Sequence, residues 1–226
     1  MSLLDSKRYF KDSKVAAFVD SVQRGDVAAV KAGLAQGIDP NSKGIEGFKP
    51  IHFVFAAKQA DVLKVLLVAG ADPNAPLSTG NTPIHFSVRM ENLDFTRVLL
   101  AAGANPNTPG ENSKPPIHEA ILQPNPGHIG LLASAAADIN VIWAGATPLM
   151  STMEVAQWEA ARILIDLGAD ISLKNRHGKT AMDLGCQIIQ RLPVNDDNRK
   201  SVTSIVEALG RRHATLPCAS DLVKFK

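Results

Sequence analysis

Three histidines, His52, His85 and His118, recur at intervals of 33 residues, each closing a related four-residue pattern: Lys49-Pro-Ile-His52, Thr82-Pro-Ile-His85 and Pro115-Pro-Ile-His118. Recurring imidazoles invite a metal reading, because neutral imidazole is a common metal ligand. One histidine per repeat, however, makes a ladder with rungs about 10 Å apart, too wide to share an ion held at about 2 Å per ligand. Cys186 is a candidate nucleophile, yet no histidine with an Asn or Asp partner is placed by a recognised signature to activate it. It is expected to be structural and half-buried. Cys186 and Cys218 are far apart in sequence and form neither a zinc spacing nor a disulfide framework. Asp196-Asp197, flanked by Asn195 and Asn198, lacks the glycine and the terminal glutamate of a calcium loop, so a solvated loop is expected. Glycine-rich phosphate loops, Gly-x-Ser-x-Gly and a recognisable carboxylate pair are all missing. The expectation is no enzyme, no metal and no cofactor.

The composition fits a globular chain with an ordinary core, 45% hydrophobic and 20% charged. The 24 Lys and Arg nearly balance the 22 Asp and Glu, for a net charge of +2, which argues against a dedicated nucleic-acid binder. Aromatics make up only 5%, too few for a large aromatic-lined cofactor pocket. No apolar run approaches the roughly 18 residues of a membrane span. The opening residues lack the apolar run and cleavage site of a signal peptide. If Met1 is the native start, the expectation is cytoplasmic. If an export signal precedes it, the expectation is periplasmic.

The elements that carry these residues follow from the period. Thr147-Pro-Leu-Met150 continues the first pattern after 32 residues. A second marker follows each copy: Leu66-Leu67-Val-Ala-Gly70-Ala-Asp-Pro-Asn74, Leu99 to Asn107, Leu132 to Asn140 and Leu164 to Ser172. Thr82 and Thr147 suit helix N-caps, and the proline after each suits the first helical turn. The paired leucines supply the buried stripe of a second helix. Gly70, Gly103 and Gly168 terminate that helix, and Asn41, Asn74, Asn107 and Asn140 open the turn beyond it.

This double marker resembles the ankyrin repeat over roughly residues 15–213. The resemblance implies an all-α solenoid of about six stacked helix-turn-helix repeats with β-turn fingers, curved so that its concave side binds. It also implies that the repeated histidine bonds backbone groups of its own and a neighbouring repeat. The expected organisation is an N-terminal extension over 1–11 and a repeat domain over 12–213. The repeats fall near 14–46, 47–79, 80–112, 113–144, 145–177 and 178–213, and a tail over 214–226 is expected to be the more mobile end. Lys49 and Pro115 replace the capping threonine, at a cost of about 1 kcal/mol each. Ala136 replaces the terminating glycine at a similar cost of roughly 1 kcal/mol if the backbone geometry is kept. Ser172 replaces the turn asparagine with no expected effect. Pro124-Asn-Pro126-Gly127 marks the fourth repeat as the irregular one.

Binding surfaces of this family draw on the finger turns and the late positions of each first helix. Register carries these onto Arg24, Phe48, Asn81, Arg89, Met90, Lys114, Leu122, Gln123, Trp143, Glu154, Arg176 and His177. Gln23, Ala57, Ile45, Glu46, Glu111, Asn112, Val155 and Lys179 are further members. The set is mixed in sign, and Phe48, Met90, Leu122 and Trp143 have no obvious core duty, as expected of interface anchors. For Trp143, folding back on a neighbour is the alternative. Trp158 begins a second helix and is expected to pack.

A finer resemblance lies in Tyr9-Phe10-Lys-Asp12, Val15, Gly25-Asp26-Val27 and Gly37-Ile-Asp-Pro-Asn41. These residues resemble the start of bacterial ankyrin proteins, some of which are immunity proteins that inhibit type VI secretion phospholipase effectors. The resemblance implies a monomer that binds a secreted toxin and blocks its active-site cleft. The alternative is a cytoplasmic adaptor or scaffold that regulates a bacterial enzyme or complex.

Overall fold

A period near 33 residues with two apolar stripes per period dictates helix pairs, and helix pairs are what forms. The computed structural model describes residues 4–57, 60–193, 195–212 and 214–218. Among these, the first helices are α1 (Ser13–Arg24), α4 (Pro83–Ser87), α6 (Pro116–Ala120), α8 (Pro148–Glu154) and α10 (Ala181–Arg191). The second helices are α2 (Val27–Ala35), α3 (Asp61–Val68), α5 (Asp94–Ala101), α7 (Gly127–Ser134), α9 (Trp158–Asp166) and α11 (Asp196–Arg211). The first helix of the second repeat is instead a 3-10 segment, Pro50–Ala56. Irregularity is therefore not confined to the fourth repeat. Ile51, Phe53, Val54 and Phe55 are poor helix formers, and all four are buried. Extended pairing among the described residues is limited to isolated bridges, Trp143 with Ala146 and Lys174 with Thr180. None of the described helices is long and apolar enough to cross a membrane.

The chain divides into two compact units, one running to Pro116 and the other beginning at Ile117. In the first, α1 packs on α2 and on the 3-10 segment, α2 on α3, and α3 on α5. Its centre is Ile51, Phe53, Leu63, Leu66, Ile84, Phe95 and Leu99, all fully buried. In the second, α8 packs on α9 and α10, and α9 on α7 and α11, around Ile129, Leu132, Leu149, Leu164, Ile189 and Ile205.

Directional bonds set the register of these apolar layers. The turn after each second helix closes on itself, with Asn41, Asn74, Asn107, Asn140 and Ser172 donating backbone N–H to the side chain two residues earlier at 2.8–2.9 Å. That geometry aims the asparagine at the next repeat. Asn41 Nδ2 donates to the Gly70 carbonyl at 2.8 Å while its Oδ1 accepts from the Asp72 N–H at 2.9 Å. Asn74 repeats this on Gly103 at 3.0 Å and Asn105 at 2.7 Å. In the second unit, Asn140 Oδ1 accepts from Asp170 N–H at 2.8 Å. At the position of the turn asparagine in the following repeat, the Ser172 hydroxyl donates to the Asp170 carboxylate at 2.6 Å.

Helix ends follow the sequence with one correction. Thr147 accepts from the Met150 N–H at 3.3 Å, and Thr180 and Asp183 form a reciprocal capping box at 3.2 and 2.9 Å. The Thr82 hydroxyl lies 3.0 Å from His85 Nδ1, within a capping box that Thr82 and His85 close at the start of α4. Asp196 and Asp197 lie in the first turn of α11 and not in a loop; there they complement the positive end of the helix, and Asn195 caps it at 2.8 Å. The second helices close with paired bonds, such as Gly103 N–H to Leu100 and Ala104 N–H to Leu99 at 3.1 and 3.0 Å. Ala136 keeps this geometry at a φ of 63°, against 85° for Gly103.

Both ends of the described chain are tied down. Leu4 N–H donates to Gln23 Oε1 at 2.7 Å, and Gln23 Nε2 returns a bond to the Leu4 carbonyl at 2.8 Å. Tyr9 and Phe10 pack their rings against Phe53 at 5.5 and 5.7 Å. At the other end, Cys186 and Cys218 form a disulfide with Cα atoms 5.7 Å apart, correcting the expectation that the two thiols stand alone. Leu216 is buried beside it. Residues 214–218 are thus anchored, and the remainder of the expected tail, 219–226, lies outside the described residues.

Two substitutions test these assignments by thermal and urea denaturation. Asn74→Ala removes both bridging bonds and is expected to cost about 2 kcal/mol. Ala136→Gly relieves a left-handed alanine and is expected to gain about 0.5–1 kcal/mol, a rise in midpoint of roughly 1–4 °C.

Candidate partner-binding surface

A finger precedes each first helix after α1, its strand-like arms joined by one or two backbone bonds. Gly44 N–H donates to the Phe48 carbonyl at 2.7 Å, Leu77 to Asn81 at 2.8 Å and Gly110 to Lys114 at 2.9 Å in the first unit. Trp143 and Ala146 exchange two such bonds at 3.0 Å in the second unit, and Asn175 N–H donates to Lys179 at 2.9 Å.

The histidines hold the fingers in place. His52 Nδ1 accepts from the Lys49 N–H at 3.0 Å, and Nε2 faces the Ala75 carbonyl at 2.9 Å, which requires the Nε2–H tautomer. His85 accepts from Thr82 N–H at 3.1 Å and reaches the Lys114 carbonyl at 3.3 Å. His118 reaches the Val141 carbonyl at 3.0 Å. Each ring thus joins its own helix start to the backbone of the following turn or finger. Burial lowers the His52 pKa below the ordinary 6.5, with Lys49 adding to the effect and the two backbone bonds and Asp72 opposing it.

In the first unit several expected binding residues have other duties. Asn81 is buried and accepts from the Glu111 N–H at 3.0 Å, and Gly110 lies so near that a Cβ there would fall 2.5 Å from its Oδ1. Phe48 is half-buried in an aromatic cluster, 4.6 Å from Tyr9 and 5.4 Å from Phe53. Gln23 and Ala57 are buried. Lys114 and Met90 are half-buried. Arg24 and Arg89 are exposed: Arg24 donates to the Ser21 hydroxyl at 3.1 Å, and the Arg89 guanidinium lies over the Phe86 ring at 5.9 Å. Arg89 is therefore held at the end of α4, ready to present its charge without further ordering.

In the second unit the candidates are more open. Leu122 is 54% exposed and Val155 50% exposed, each just past the end of a first helix. Gln123 is half-buried and donates to the Glu119 carbonyl at 3.2 Å, while Glu154 is exposed. Trp143 lies half-buried with its ring 5.6 Å from His118, so it leans back on its own repeat. Ile142 beside it is 65% exposed and was missed by register, although an apolar residue at a finger base was the available signal. Arg176 and His177 are exposed at the last finger, 3.1 Å apart. Trp158 is buried.

A family model described as ankyrin repeats (3 copies) matches residues 18–110 and 51–142. No curated protein matches the sequence at a significant level. Among solved structures, the crystal structure of EF0377, an ankyrin repeat protein, is 22% identical over 87% of this chain and 98% of its own, with a TM-score of 0.70. A chain in the complex of Bd0816, a predatory endopeptidase from Bdellovibrio bacteriovorus, with immunity protein Bd3460 is 24% identical over 84% of this chain and 97% of its own, with a TM-score of 0.66. At these identities the likeness is one of fold.

His52 generates a pH prediction. Its folded pKa lies below the unfolded value, so the unfolded chain takes up the proton first as pH falls. The stability held by neutral His52 is full above about pH 6.5 and is lost as pH falls toward the folded value. Circular-dichroism melts between about pH 7.5 and 5 are expected to show the midpoint falling, with a flatter profile for His52→Asn.

Proposed function

We propose that this chain, which belongs to the ankyrin-repeat family, holds a partner protein on the finger and first-helix face of its second unit, and that the partner is a secreted bacterial toxin. Ankyrin repeats are interaction modules, and such solenoids present binding surfaces from residues that stacking does not use. The observation that carries the site is the exposure of Leu122, Ile142 and Val155 at first-helix ends and a finger base of adjacent repeats. Glu154, Arg176 and His177 supply a charged rim of both signs. An apolar centre with a polar rim is the anatomy of a protein interface. Trp143, leaning on His118, is a second-line anchor of the same unit.

The toxin assignment rests on the residues from Tyr9 to Asn41 that resemble bacterial immunity proteins, and on the fold shared with a chain of an endopeptidase–immunity protein complex. A phospholipase is the toxin class implied by the N-terminal resemblance. Inhibition then follows from covering the toxin's cleft, with no catalytic group required of this chain. An adaptor or scaffold for a bacterial enzyme is the second reading, favoured by the same surface without the N-terminal resemblance.

Cross-linking in cells of the native organism, followed by mass spectrometry, is expected to recover one dominant secreted lipase or other hydrolase. Its activity should be inhibited at one equivalent of the purified chain. Leu122→Asp with Val155→Asp is expected to weaken that complex at least about 30-fold while shifting the melting midpoint by no more than about 2 °C. An unaffected complex rejects the surface, and a cytoplasmic enzyme complex in place of a toxin favours the adaptor.

A further inference from the structure

The sixth helix pair is joined to the fifth differently from the way the earlier repeats are joined. Asn41, Asn74 and Asn140 each bridge to the following repeat through their amides. Ser172 stands at the next position in register, and its hydroxyl is committed to Asp170 at 2.6 Å. The links that serve this junction are of other kinds. Arg212 donates to the Ala169 carbonyl, and Arg211 pairs with Asp166 at 2.7 Å. The second of these is half-exposed and so contributes little by itself. Helix α11 buries only Val202, Ile205, Ala208 and Leu209 of its 16 residues.

Across this helix, which packs on α9, runs the Cys186–Cys218 bridge. Cys186 lies within α10 at 6% exposure, and Cys218 lies beyond α11 at 7% exposure. The loop that the bond closes contains the whole of α11, so the segment following that helix stays tied to α10. Cys218 N–H also donates to Cys186 Sγ at 3.1 Å, and Leu216, two residues before Cys218, is buried. Closing a loop of this length removes many unfolded conformations, and its effect is largest on the segment inside the loop.

We propose that Cys186–Cys218 is a structural cross-link made in a thiol-oxidising compartment, and that, by tying the segment after α11 to α10, it keeps α11 docked on α9. Both cysteines are buried, and their spacing is not that of a catalytic Cys-x-x-Cys pair. Structural disulfides of this kind persist outside the reducing cytosol. Formation removes two electrons and two protons from the two thiols. The acceptor is the disulfide of a thiol–disulfide oxidoreductase, which departs as a dithiol after one mixed-disulfide exchange and its resolution by the second cysteine. The inference does not depend on the toxin reading; joined to it, it puts the encounter with the partner outside the cytosol.

The test is made on the full protein. Native cells are quenched with N-ethylmaleimide, and the protein is isolated and denatured without reductant. Mass spectrometry is expected to find neither cysteine alkylated, and both alkylated only when reduction precedes labelling. Alkylation of both without reductant overturns the compartment. Hydrogen exchange of the oxidised and reduced folded protein tests the docking role. Amides of α11 are expected to exchange at least about tenfold faster after reduction, with α3 and α5 unchanged. Cys218→Ser provides the same comparison should the buried bond resist reductant. Equal protection of α11 with and without the bond overturns the docking role, and neither result bears on partner binding.

Discussion

The structure depends on one directional contact, the side-chain amide that crosses from one repeat to the next. Apolar burial scales roughly with area and by itself has no preferred direction. An amide has one. Asn41 and Asn74 each take an N–H from the following turn and give an N–H to a carbonyl left without an intrahelical partner at the end of the following second helix. One side chain thereby satisfies two backbone groups and sets the spacing of two helix pairs. The histidines do the same work at the other edge of the repeat, tying helix starts to the backbone that follows. Chemistry that looks catalytic in a list of residues is spent on the backbone.

This is why the fold was so legible in the sequence. Groups that satisfy the same backbone atoms must recur at the same register, and His52, His85 and His118 or Asn41, Asn74 and Asn140 advertise the period directly. The Ala136 geometry was legible for the same reason, since only the backbone position mattered. Less legible were contacts made between unlike parts of the chain. Phe48 reads as a free aromatic until the N-terminal Tyr9 is folded against it, and Asn81 reads as a finger tip until Gly110 comes within reach. The disulfide was hidden for a related reason. A separation of 32 residues describes no motif, and only the return of the chain after α11 brings Cys218 to Cys186.

The two ends of the described chain solve a common problem by different chemistry. A terminal repeat has a neighbour on one side only, so its outer groups need another partner. At the N-terminal end that partner is non-covalent: Gln23 clasps Leu4, and the rings of Tyr9 and Phe10 extend the aromatic layer of Phe53. Large aromatic surfaces suffice there because each buries much area at modest entropic cost. Helix α11 offers no aromatic side chain for such a layer. A covalent bond takes over the role, together with the arginines that reach back to Asp166 and Ala169.

The same division separates scaffold from surface. Positions that repeat in type, the histidines, turn asparagines and paired leucines, are consumed by stacking and have little left to offer a partner. Positions that share a register but differ in type are the ones stacking leaves alone: Arg89, Leu122 and Glu154 occupy equivalent places past the first pattern and differ in charge, size and polarity. Gln23, although late in its helix, was removed from the surface by a specific bond and not by the demands of the repeat. Exposure then sorts the remainder. Where side chains at such places are apolar and still open, as at Leu122 and Val155, stacking leaves them available for the partner contact proposed above.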